Sequence, residues 1–185
     1  MLRRCLLSGF WGFIAAIAIA GCGYRFNLSG TSLRSGLHPL AIPTIQSSST
    51  LAGLEGDFTN IFRREFLSHS TIPIVPKERA SAVLEGKIKR VDTSPLSYDI
   101  QKQSVSGTTV SYERTSLRRV RVRLSIRMVN RETGKVLWED NAMEEMASYT
   151  LSDDPIENQY KEREALRRVA EQLAKRIYLK TVDTF

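Results

Sequence analysis

The residues of this chain best suited to chemistry are cations set two apart. Arg119, Arg121, Arg123 and Arg127 alternate with Val120, Val122, Leu124, Ile126 and Met128. On an extended strand successive side chains point to opposite faces, so the arginines share one face and the apolar residues the other. Lys87 and Lys89 repeat the alternation in an earlier segment, against Leu84, Gly86 and Ile88. That segment is the expected pairing partner. Six cations on one sheet face repel one another unless anions or acidic partners meet them. Guanidinium groups bind phosphate bidentately, which would make the row a phosphate-reading surface. The same charges would also serve as plain solvation, or as protection of a sheet edge against stray pairing.

Catalytic chemistry is thinly provided. The only histidines are His38, beside Pro39, and His69. No H-E-x-x-H, Walker-type glycine loop or G-x-S-x-G occurs. Asp153-Asp154 could pair as carboxylates, but they precede Pro155, a setting in which acidic residues cap a helix. The sequence therefore calls for no enzyme activity, no metal and no cofactor. Cys5 and Cys22 are the only cysteines, so neither disulfides nor a thiolate site enter the domain that follows.

The chemistry expected of Cys22 is covalent attachment. Arg3 and Arg4 precede an uncharged run from Leu6 to Ala20, and Ala20-Gly21 stand before Cys22. That is the order of an export signal, with a run too short to span a bilayer comfortably. Ile19-Ala20-Gly21-Cys22 resembles the lipobox of bacterial lipoproteins, which implies cleavage before Cys22 and acylation of its thiol and amine. Several acyl chains anchor a domain firmly, at about 0.8 kcal/mol per buried methylene. The expected organisation is a signal over 1–21, a lipidated cysteine and tether over 22–37, and one domain over 38–185. Removing the signal leaves 164 residues with 25 basic and 20 acidic side chains. This mild excess suits anionic partners. Nucleic acid is disfavoured, because export separates the domain from it and no aromatic platform interleaves the arginine row.

The elements that must position the row follow in order. Leu40 to Ile45, bracketed by Pro39 and Pro43, reads as a short edge strand, and Gln46 to Thr50 breaks it. Leu51, Leu54, Phe58, Ile61, Phe62 and Phe66 fall on one face of a helix of about five turns. Residues 82–91 alternate as a strand, and strand-helix-strand order implies a parallel crossover. The polar stretch 93–116 reads as the outer reach of a long hairpin. The arginine strand comes next, then turn chemistry over 130–135 with Gly134 free to take positive φ. A return strand runs from Val136 toward Tyr149. Ser152-Asp153-Asp154-Pro155 opens a last helix whose stripe is Leu166, Val169, Ala170, Leu173 and Ile177. Its polar first turns, 157–164, are expected to project past the sheet. The predicted fold is βαβββα, a two-layer α/β (α+β) sandwich with two helices packed on one face of a four-stranded mixed sheet.

Gly21-Cys22-Gly23-Tyr24-Arg25-Phe26, an Ile-Pro strand, a Phe-rich helix, Ala82-Val83-Leu84-Glu85-Gly86, Thr133-Gly134-Lys135-Val136-Leu137-Trp138-Glu139 and Tyr149 before a Ser-Asp-Asp-Pro cap follow one another. In this order they resemble the lipopolysaccharide-assembly lipoproteins of the LptE type, over nearly the whole chain beyond the signal. The resemblance implies two helices on a four-stranded sheet. It also implies an anchor in the outer membrane at its periplasmic face, with which Gly23 agrees. The implied partners are an LptD-like outer-membrane β-barrel, which such proteins plug and help assemble, and lipopolysaccharide. Arg119 to Arg127, with Lys87 and Lys89, would then be the counterpart of the basic residues thought to meet lipopolysaccharide phosphates. The competing expectation is an accessory envelope lipoprotein of a transporter or cell-wall synthesis complex, in which the row merely solvates.

Overall fold

Residues 38–49, 51, 53–105 and 108–183 are described by the computed structural model. The signal, Cys22, the tether and the hairpin tip at Ser106-Gly107 lie outside the described residues. Strand β4 (Thr108–Asn130) is the centre of the sheet, hydrogen-bonded to β3 (Ala82–Val105) on one side and β5 (Val136–Thr150) on the other, both antiparallel. Its alternation behaves as expected: Val120, Val122, Leu124, Ile126 and Met128 are all buried. Beyond β3 lie two short strands, β1 (Leu40–Ala41) and β2 (Gln46–Ser47), both parallel to it. Helices α1 (Leu54–His69) and α2 (Pro155–Asp183) cover the apolar face. The core closes between Phe58, Phe62 and Phe66 of α1, Val169, Leu173 and Ile177 of α2, and Leu84, Ile88, Leu124 and Ile126 of the sheet. Each large side chain buried there contributes about 1.5–3 kcal/mol.

The first strand departs from expectation. Pairing does not stop at Ile45: it lapses over residues 42–45 and resumes at Gln46, which pairs with Lys87. Pro43 has no amide proton, so the ladder cannot run through it. Helix α1 supplies what the ladder leaves open. The Ile42 carbonyl accepts from Arg63 Nε and Nη2 at 2.9 and 2.7 Å, and the Ile45 amide donates to Thr59 Oγ1 at 2.9 Å. Ile45 itself packs over Gly86, where an added Cβ would sit 3.3 Å from its side chain.

Helix α1 begins at Leu54, later than its apolar spacing implied. Gly53 takes φ 81° at the N-cap, and Leu51 stays outside the helix, 39 % exposed. Helix α2 starts as read: Asp154 Oδ1 accepts the Ile156 amide at 2.8 Å, and Asn158 exchanges two hydrogen bonds with Ser152. Its first turns do not project clear of the sheet. Thr93 of β3 donates to Glu162 at 3.1 Å, a contact that apolar periodicity cannot reveal.

Asn130 accepts the Glu132 and Thr133 amides on its side chain, and Gly134 takes φ 68°, so the β4–β5 turn forms as composed. At the other end β3 and β4 stay paired out to Val105 and Thr108, whereas β5 stops opposite Leu117. The polar stretch 93–116 is thus the distal half of a long hairpin. The outer edge of β5 is covered by α2: Arg176 and Arg168 donate to the Glu144 and Ser148 carbonyls at 2.8 and 3.0 Å.

Candidate functional site

The arginine row lies on the sheet face away from the helices, and strand register decides what each cation meets. Opposite side chains on neighbouring strands have Cβ atoms about 4.5–5.5 Å apart. Arg123 stands opposite Glu144 of β5, and Glu144 draws in Arg121 as well: Arg123 Nη2 reaches Oε2 at 2.9 Å and Arg121 Nε reaches Oε1 at 3.2 Å. At the turn end Arg127 stands opposite Glu85 of β3 and donates to it at 2.7 and 3.0 Å, while Lys77 meets the other oxygen at 3.0 Å. The Arg127 hydrogen bond, with that of Lys77 behind it, holds the Glu85 carboxyl below its ordinary range. These ion pairs are exposed, and each such pair contributes about 0.2–1 kcal/mol. They offset part of the row's charge without locking it.

Two features of this face were not read from sequence. A bulge between Ile88 and Arg90 leaves Lys89 as the extra residue. Lys89 therefore falls out of step with Lys87, and Arg90, Asp92 and Ser94 take over the outer face, opposite Arg123, Arg121 and Arg119. Arg90 Nε pairs with Asp92 at 2.6 Å. The acidic partners Glu85, Asp92 and Glu144 were also missed. Composition counts acids, but only register assigns them to cations.

Five of the six candidate cations, Arg119, Arg121, Arg123, Arg127 and Lys87, thus share the outer face with unequal occupation, and Lys89 sits in the bulge. Arg121, Arg123 and Arg127 are paired with carboxylates. Lys87 lies opposite Ser125, whose hydroxyl bonds Asn141. Arg119 lies between Ser94 on β3 and Ser148 on β5. Among the described residues, Arg119, Lys87 and Lys89 make no ion pair with a carboxylate.

The remaining candidates do not converge. The His38 carbonyl accepts from Ser81, His69 sits near the Glu65 carbonyl at the end of α1, and Asp154 caps α2. Among the described residues no group of three His, Cys, Asp or Glu is arranged to hold a metal, and no helix is long and apolar enough to cross a membrane.

Both helices on one face of the sheet and a charged, open second face define the class: an α+β two-layer sandwich. Residues 37–181 match the LptE family, described as lipopolysaccharide-assembly, and the chain belongs to that family. Its members are non-enzymatic lipoproteins associated with the outer membrane. Among solved structures, the chain is similar to a minor lipoprotein of Acinetobacter baumannii, at 11% identity and TM-score 0.45, covering 80% of this chain and 94% of that one. It is similar to lipoprotein B of Nitrosomonas europaea, at 16% identity and TM-score 0.44, covering 80% and 87%. It is also similar to the rare lipoprotein B of Shewanella oneidensis, at 17% identity and TM-score 0.41, covering 78% and 95%. No curated protein sequence matches the chain.

Proposed function

We propose that this protein is the lipoprotein subunit of a lipopolysaccharide translocon. It is anchored through acylated Cys22 at the periplasmic face of the outer membrane, and it plugs and helps assemble an LptD-like β-barrel. Family membership over residues 37–181 carries this reading. The open basic face supports the ligand half of it. Lipopolysaccharide is an anionic glycolipid, and exposed guanidinium groups held by labile ion pairs suit its phosphates.

Two measurements test the proposal. Full-length protein carrying an affinity tag, extracted in detergent, is expected to bring down a heat-modifiable β-barrel in equimolar amount. Recovery with an inner-membrane or peptidoglycan-synthesising complex instead would favour the accessory role. For the ligand, charge reversal of Arg119, Arg121 and Arg123 to Glu is expected to weaken lipopolysaccharide binding at least tenfold, about 1.4 kcal/mol. Unchanged binding by a folded triple variant would return the row to solvation.

A further inference from the structure

Beyond Leu117 the sheet changes character. There β5 ends: Leu117 stands opposite Thr150, the Leu151 amide donates to the Ser116 carbonyl at 2.9 Å, and the chain leaves for α2. What continues is a two-stranded ribbon of eight residue pairs, Tyr98 to Val105 against Thr108 to Thr115, about 27 Å long. Among the described residues no third strand pairs with it, and its Tyr98 and Ile100 are 54 % and 69 % exposed. A hairpin without a third strand draws little rigidity from its own ladder. The ladder is also broken at the root of the ribbon, on both strands. Leu96 is an extra residue on β3, between the Pro95–Arg118 and Ser97–Leu117 pairs, and Ser116 is an extra residue on β4 one step further on. Pro95 has no amide proton to give. A bulge on one strand bends it against its partner, whereas bulges on both at successive steps let the pair bend together.

Just short of this break, polar side chains from four elements converge. Thr93 of β3 donates to Glu162 of α2 at 3.1 Å. Tyr149 of β5 is buried opposite Arg118 of β4, and its hydroxyl donates to Glu162. Burial, and after it the Glu162 carboxylate, pushes that hydroxyl above its ordinary range while Arg118 opposes them, so it keeps its proton. We infer that the ribbon is a hinged arm, pivoting at the bulged residues Leu96 and Ser116, and that Glu162 is the clasp that fixes its angle to the body. Hinges are short stretches that absorb a change of φ and ψ, and the two bulges form such a stretch. Glu162 suits the clasp because one carboxylate takes donors from β3 and β5, the strands on either side of β4, and Thr93 lies two residues before Pro95. Each of these bonds is small against the core that holds the body, so the clasp opens without unfolding the sheet. The angle of the arm is thus set by α2 rather than by the arm's own ladder.

The test measures the arm's angle directly. Nitroxides are introduced through a ketone-bearing amino acid at Gln103, on the arm, and at Glu139, on β5, leaving both cysteines untouched. Electron–electron double resonance on the full-length protein in detergent then reads the distribution of distances between them. The wild type is expected to give one narrow distribution. Glu162→Ala is expected to broaden it at least twofold, and Thr93→Val, which keeps the shape and removes one donor, to broaden it less. Glu164→Ala removes a carboxylate that pairs with Arg167 instead, and is expected to leave the distribution unchanged. Moving the first label to Ser94, on the body side of the bulges, should give a distribution that none of these variants alters. A distribution as narrow in Glu162→Ala as in the wild type, or a wild type as broad as that variant, would overturn the clasp. Broadening that the Ser94 label shares would put the loosening in the sheet and overturn the pivot. Should Glu162→Ala melt early, Thr93→Val decides alone, and wild-type width in that variant sinks the clasp.

Discussion

Glu144 accepts from two arginines at once, and neutralising it frees both. On the proposed ligand reading, Glu144→Gln is therefore expected to tighten lipopolysaccharide binding about threefold, in line with the roughly 0.2–1 kcal/mol of an exposed pair. The change should shrink as salt rises, which isothermal titration at two ionic strengths would check. Glu85 provides a prediction in pH. Arg127 and Lys77 hold its carboxyl below the ordinary value of 4.5. A carboxyl depressed on folding stabilises the fold fully above its unfolded value, and that contribution disappears as pH falls through the lowered folded value. Glu85→Gln should thus narrow the gap between urea midpoints at pH 7 and pH 3, whereas an unchanged gap would show the pairing to be idle. None of these partnerships was legible beforehand. The sequence displays the arginine row at once, because a period of two can be read along β4 by itself. Which acid faces which arginine depends on register and on the bulge at Lys89, and neither leaves a periodic trace.

At the scale of elements, the prolines marked a weak first strand correctly but said nothing of its repair. Thr59 accepts the Ile45 amide and donates to the Glu55 carbonyl at 2.6 Å, deep in the core. Thr59→Val keeps the shape and strands that amide, and should cost about 1–3 kcal/mol in urea denaturation. Gly86 read as one more alternating residue, yet it is the gap that Ile45 fills. Gly86→Val is expected to destabilise by about 1–3 kcal/mol through overpacking. Pairing it with Ile45→Ala should restore part of the loss, a coupling that a double-mutant cycle would reveal. Both helices were legible from a long apolar period, α2 also from its capping chemistry, and the β4–β5 turn from Asn130 and Gly134. The contact of Glu162 with Thr93 was not, since a polar pair between distant elements has no signature in spacing.

For the molecule as a whole, the layer architecture followed from the pattern of apolar faces: two amphipathic helices need one sheet face, and the strand order of alternation leaves the other open. Strand order in space was the harder quantity. It places β1 at the edge, parallel to β3, with Leu40 opposite Ala82. That one pairing sets a timetable for folding. β3, β4 and β5 are neighbours along the chain and can zip from their turns, while β1 must close a loop of about forty residues for two residues of ladder. The meander is expected to form first and the N-terminal strand last. Kinetic analysis should give Val122→Ala a φ-value of about 0.5–0.8 and Leu40→Ala one near zero. Until that late closure, the Phe58, Phe62 and Phe66 stripe of α1 has only part of its final cover. The interval before β1 docks is when this protein is most open to aggregation, and destabilising the β1–β3 seam would lengthen it.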